Sequence, residues 1–222
     1  MPMTDSSNET IEDKITRFQG YLQFYINEMS LCIKSWELFE EIQEKKEKLN
    51  EVIPNRTAIH ALNTIQYSLT QSTQMSLMKL WDKKSKDKNN VRFGLIFNLI
   101  ISGEYCNFIK TKYAEYNDMI KRDERMRNEF RTLYNKKSSG EHKKVFDELK
   151  DLRDKRLAHT EMVEIEIQKH SIDEIRAFYL DSMRMIEVAS SFLNCGINFE
   201  NVRRSSRRDA RHFVAVLTKS KN

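Results

Sequence analysis

Apolar residues recur at intervals of three and four along most of the chain, the spacing that gives a helix one buried face. Between Thr10 and Glu51, the residues Ile11, Ile15, Phe18, Leu22 and Tyr25 form such a stripe, and Trp36, Phe39 and Ile42 extend it. This predicts one or two long helices, with Gly20 a weak interruption and Glu40 to Lys48 a solvated charged stretch. Pro54 closes the segment, because the residue before a proline disfavours the helical conformation. Thr57 is expected to cap a second helix running to about Trp81, with Ile59, Leu62, Ile65, Leu69, Leu77 and Leu80 as its apolar positions. Its middle is rich in Ser, Thr and Gln, which suits packing against other helices. Asp82 to Asn90 reads as a lysine-rich loop, and Val91 to Ser102 as a short helix stopped by Gly103.

Further on, Glu104 to about Tyr134 reads as a third long helix, aromatic at first and highly charged later. Lys136 to Gly140 is a linker. His142 to His159 is a helix with Val145, Leu149, Leu152 and Arg156 at helical spacing. Glu161 to Lys169 alternates apolar and charged residues, which fits a short strand or an extended crossover. Ser171 with Glu174 three residues later matches a capping box, opening a helix that runs to Asn194 and ends at Cys195–Gly196. A last helix is expected near Asp209 to Leu217, with Phe213, Val216 and Leu217 on its apolar side. The pattern predicts an all-α chain. With only 5 glycines and 2 prolines there are too few turn residues for many hairpins. The organisation expected is a helical domain over 1–196 and a basic tail or terminal helix over 197–222.

Charge divides along the same line. The chain of 222 residues carries a net +5 and is 32% charged, with a mean hydropathy of −0.68. From Asn201 to Asn222 there are seven positive residues against Asp209 alone, so the tail is +6; the remaining 31 Lys/Arg and 32 Asp/Glu leave the body at −1. The cationic character that could meet phosphate is therefore local.

The three cysteines, Cys32, Cys106 and Cys195, are odd in number and far apart, which argues for reduced thiols in the cytoplasm and against a disulfide framework or zinc site. The polar N-terminus has no apolar signal core. The most apolar run, Phe93 to Ile101, is too short to span a bilayer, so no membrane partner is expected. There is no H-E-x-x-H, P-loop, GxGxxG or G-x-S-x-G, and no metal or cofactor is expected. Of the five histidines, His60, His142, His159, His170 and His212, a lone one in a helix is more often structural than catalytic.

One segment stands apart: Leu152-Arg153-Asp154-Lys155-Arg156-Leu157-Ala158-His159-Thr160. It resembles the signature of HEPN domains, an arginine, a polar residue and then a histidine a few positions on. It is similar above all to the AbiU-like, abortive-infection branch. Leu80-Trp81-Asp82, followed by Lys88-Asn89-Asn90-Val91 and the apolar Phe93 to Ile101, resembles that branch's upstream helix–loop–helix. The resemblance covers roughly Thr10 to Asn194. It implies a HEPN-type antiparallel bundle of long helices and a metal-independent endoribonuclease serving as a toxin in antiphage defence. It also implies a 2′,3′-cyclic phosphate product, and a homodimer whose motifs meet across a two-fold axis. An antitoxin or defence-complex partner fits the same role.

Elementary chemistry gives the pair that job. Histidine can take or give a proton near neutral pH, so His159 would serve the attacking 2′-hydroxyl. Arginine stays charged and can grip phosphate oxygens in a bidentate fork, so Arg153 would hold the growing negative charge. DNA lacks the attacking hydroxyl and would be spared. Six positions along a helix turn by about 240°, so the two side chains do not stack on one face. A helix end near His159, the length of arginine, or a second subunit would have to bring them together. Asp154 either orients the pair or is an exposed helix carboxylate. Lys155 and Arg156 make the turn beneath His159 cationic, which would lower its pKa and attract RNA, unless Arg156 only snorkels. In the tail, Arg203, Arg207 and Arg211 recur every four residues, with Arg204 and Arg208 beside them. If helical, they form a stripe that contacts an RNA backbone or remains a solvated face. Two rivals stand beside the nuclease: a non-catalytic HEPN module binding RNA or a protein, and a helical scaffold in which the motif is coincidence.

Overall fold

The computed structural model describes residues 9–53, 55–81, 93–140, 142–158, 171–193 and 195–219, with residues 138 and 152–158 as backbone alone. Among the described residues there are nine helices and no strand: α1 (Ile11–Glu44), α2 (Lys46–Val52), α3 (Arg56–Trp81), α4 (Phe93–Ile100), α5 (Gly103–Lys112), α6 (Asn117–Ser138), α7 (Lys143–Ala158), α8 (Ile172–Phe192) and α9 (Glu200–Lys219). The expected all-α class holds. The alternating stretch Glu161 to Lys169 lies outside the described residues.

On the last helix Ala210 and Val214 are buried while Phe213 and Val216, expected on its apolar side, are exposed, and Glu41, in the stretch expected to be solvated, is buried. The other differences from the sequence reading lie at the joints. The first long segment breaks once, at Lys45. Asn55, not Thr57, caps α3: its Oδ1 accepts the backbone N–H of Thr57 at 2.8 Å. Gly103 does not stop a helix but opens α5, because Ser102 Oγ accepts the Tyr105 N–H at 3.1 Å and forms the cap. The expected long helix from Glu104 is two helices broken over 113–116. Asp118 in the first turn of α6 favours a new start there. The break lets α5 and α6 fold back on each other, bringing Tyr105 to Asp123 and Cys106 to Arg127. The capping box at Ser171 and Glu174 forms as expected. The final helix spans all of 200–219, far more than Asp209 to Leu217.

Packing divides the chain into two units, residues 1–26 with 78–197 and residues 27–77 with 198–222. The first unit is built on aromatics. Tyr25 stacks on Phe93 at 5.2 Å, Trp81 meets Phe93 at 4.6 Å, and Phe97 stacks on Tyr134 at 4.1 Å. α8 runs antiparallel to α6, with Asp181 beside Lys136 and, further along, Arg184 beside Glu129. Gly140 turns the chain from α6 into α7. A Cβ there would lie 2.8 Å from Lys136 Cα, so only glycine fits without the backbone moving. In the second unit Ile42, Leu49, Leu62 and Val214 form a buried core shared by α1, α2, α3 and α9. The Ser35–Ser72 hydroxyl pair, 3.0 Å apart, ties α1 to α3.

Candidate functional site

The motif helix α7 buries Val145, Phe146 and Leu149 against the first unit, which fixes its rotation about its axis. Its entry is held by charge. His142 Nε2 donates to Asp181 Oδ2 at 2.8 Å, and Lys136 Nζ donates to the same oxygen at 3.0 Å. The His142 and Phe178 rings meet in a T-shaped contact, 5.7 Å between centroids. Next to them the buried Lys137 ammonium sits 4.2 Å from the Trp81 ring and 3.8 Å from that of Phe146. The sequence holds no local cue to this anchor, since His142 is one histidine among five and Asp181 lies 39 residues away.

Burial opposes ionisation of Asp181, but the hydrogen bonds from His142 and Lys136 outweigh it and hold the carboxyl below its usual range. A carboxyl lowered in the folded state stabilises the fold above its unfolded pKa of about 4, and that contribution is lost as pH falls through the lower folded value. Asp181→Asn is therefore expected to flatten the acid side of the stability profile, measured by urea unfolding from about pH 6 down to pH 3. An unchanged slope would count against this account.

Arg153, Asp154, Lys155 and Arg156 lie in the last two turns of α7, and their side chains are outside what the structure describes. The helix runs to Ala158, one residue before His159, which is itself outside the described residues. The backbone thus carries the arginine on regular helix up to the position preceding the histidine. From Arg153 to Ala158 the helix advances about 7.5 Å.

The tail arginines sort onto two sides of α9. Arg203 Nε and Arg207 Nε each donate to one oxygen of Glu37, both at 2.7 Å, and the Glu37 side chain is 0% exposed. Arg207 also lies 3.8 Å from Glu40, and Arg211 lies 3.5 Å from Glu41. The stripe at every fourth residue is thus occupied by an acidic ladder on α1. Arg204 and Arg208 face water and, among the described residues, pair with their helix neighbours Glu200 and Asp209. The cue available in the sequence was Glu37, Glu40 and Glu41, spaced to share a helix face. Glu37→Ala is expected to cost about 1–2 kcal/mol in urea unfolding. That is less than the roughly 3–5 kcal/mol for breaking a fully buried pair, because both arginines keep access to water. Wild-type stability in that variant would show the ladder to be idle.

A second polar group was not foreseen. Tyr105 Oη lies 3.4 Å from Asp123, Arg127 Nε donates to Asp123 at 2.6 Å, and Arg127 also reaches Cys106 Sγ at 2.9 Å. Burial pushes the Asp123 carboxyl up against the pull of Arg127. Cys32 is buried, and burial raises its thiol far above the ordinary value. Among the described residues no group of three or more His, Cys, Asp or Glu is placed to hold a metal ion. No described helix is long and apolar enough to cross a membrane.

Compared with known proteins, residues 15–213 match the family model HEPN_AbiU2, described as AbiU2. No curated protein and no solved structure gives a match.

Proposed function

The chain belongs to the AbiU2 family of HEPN proteins, a family of abortive-infection modules, and from that premise we propose that it is a metal-independent endoribonuclease. The observation that supports this reading best is the position of the motif. Arg153 lies on a helix that is regular up to Ala158 and anchored at its other end by the Lys136–Asp181–His142 cluster.

In this reading His159 removes the proton of the RNA 2′-hydroxyl. The freed oxygen attacks the adjacent phosphorus, the bond from phosphorus to the 5′-oxygen breaks, and that oxygen leaves with the proton that the imidazolium gives back. The products are a 2′,3′-cyclic phosphate and a 5′-hydroxyl end. Arg153 holds the non-bridging oxygens while charge builds on them. Asp154 orients the pair, and Lys155 and Arg156 draw the backbone in. On α9 the residues suited to phosphate are Arg204 and Arg208, because Arg203, Arg207 and Arg211 already meet carboxylates. Two chains pair about a two-fold axis, so that one cleft receives both arginines and both histidines. The enzyme works in the cytoplasm as a toxin of antiphage defence, restrained by an antitoxin or defence-complex partner.

The test is incubation of the purified chain with RNA in EDTA, beside His159→Ala and Arg153→Ala. Cleavage that survives EDTA, leaves cyclic phosphate ends and disappears in both variants supports the enzyme. RNA binding without cleavage would instead identify a non-catalytic module.

A further inference from the structure

The first unit contains a cleft of about 350 Å³ that the proposed chemistry does not use. That volume is at the small end of the range for small-molecule sites. Its walls come from α1, α5, α6 and the end of α8, and its apolar side is made by Phe108, Ile109, Met126 and Phe192. Two cations, Lys112 and Arg122, also line it. Lys112 Nζ lies 5.2 Å from the Phe108 ring and 5.8 Å from the Tyr113 ring, so a positive charge stands beside the aromatic wall. Among the described residues neither Lys112 nor Arg122 has a carboxylate partner. The acidic side chain in the floor, Asp123, is already bound by Arg127 at 2.6 Å and by Tyr105, so its charge is balanced. Glu12 is the other acidic residue in the lining, which leaves the cationic pair in excess.

We propose that this cleft is a binding site for a small aromatic anion, its ring against Phe108 and Met126 and its carboxylate or phosphate at Lys112 and Arg122. The Tyr105–Asp123–Arg127 network holds the floor in place before any ligand arrives, so little ordering is needed on binding. The site stands on the cleft alone and is independent of the nuclease reading.

The probes are 2-naphthoate, its neutral counterpart 2-naphthalenemethanol, and inorganic phosphate, each titrated into the full chain by calorimetry. Saturable binding of 2-naphthoate is expected, with a Kd of about 1 mM or tighter. The alcohol should bind at least about threefold more weakly, and phosphate alone should not bind. Arg122→Gln should weaken 2-naphthoate by about threefold or more. Glu12→Gln should strengthen it, since it removes the opposing charge. Met126→Trp should fill the cleft and abolish binding. Arg122 and Glu12 are exposed, so their variants still decide the matter if Met126→Trp fails to fold. Absence of saturable binding, equal affinity for the alcohol, or indifference to both Arg122→Gln and Glu12→Gln would overturn the assignment.

Discussion

Alanine at His159 is expected to lower RNA cleavage by about 10²- to 10⁴-fold, the range associated with a lost proton-transfer group. Arg153→Ala should fall in the same range, because one preorganised donor to the developing charge contributes about 10²- to 10³-fold. On the proposed mechanism the two residues would act on one transition state, so the double variant should be little worse than either single one. Arg153 lies in the last two turns of α7, at the opposite end from its anchoring cluster, so the unfolding midpoint of Arg153→Ala should stay close to wild type. Mixing the two inactive variants is the sharper measurement. If the cleft is shared across a two-fold axis, a mixed dimer recovers one histidine and one arginine in one cleft, and part of the activity returns. Failure to recover activity despite subunit exchange would exclude the shared cleft. Retained cleavage in His159→Ala would exclude the mechanism itself.

The largest stability effect is expected at Trp81. Its indole N–H donates to Ser182 Oγ at 2.8 Å, its ring packs on Phe93 and Phe178, and the buried Lys137 ammonium lies over its face. Trp81→Ala removes a large side chain from a close-packed site, which costs about 3–5 kcal/mol. It also removes the Trp81 ring from beside the buried Lys137 cation. Trp81→Phe keeps part of the ring and loses the indole donor, for an expected cost of about 1–2 kcal/mol. A chain of ordinary stability, about 5–15 kcal/mol, would be left marginal by the alanine variant. Urea unfolding of both variants measures this. A cost below about 1 kcal/mol for Trp81→Ala would mean that the site collapses around the missing indole.

The hydrophobic spacing was enough to recognise the helices, because a buried face imprints a period that local detail rarely hides. Ser171 and Glu174 were legible as a cap because both partners lie within four residues. The joints were harder. Gly103 reads as a stop by composition, but the hydroxyl of Ser102 turns it into the first residue of α5. The break before Asn117 has a weak local signal, and its reason lies in contacts such as Tyr105 with Asp123 that join residues 18 apart. The motif itself was readable as a string, as was Trp81 upstream of it. What holds the motif helix was not: Asp181 is an ordinary helical carboxylate until the fold brings His142 and Lys136 to it. The tail followed the same logic. Its arginines were visible, while the α1 carboxylates that meet Arg203, Arg207 and Arg211 lay more than 160 residues away.

That separation has a consequence for the order in which the molecule is made. Glu37 precedes Arg203 by 166 residues and Arg207 by 170. At about 5–20 residues per second, a ribosome takes roughly 10–30 s to cover that interval. Throughout it, burying the Glu37 carboxylate would cost several kcal/mol with no cation to offset it. The middle of α1 must therefore wait in water, and the second unit closes only when α9 emerges. By then the motif helix α7 has already been synthesised. A message cut before the Arg203 codon would yield a chain that carries the motif but leaves α1 open, a natural substrate for proteases.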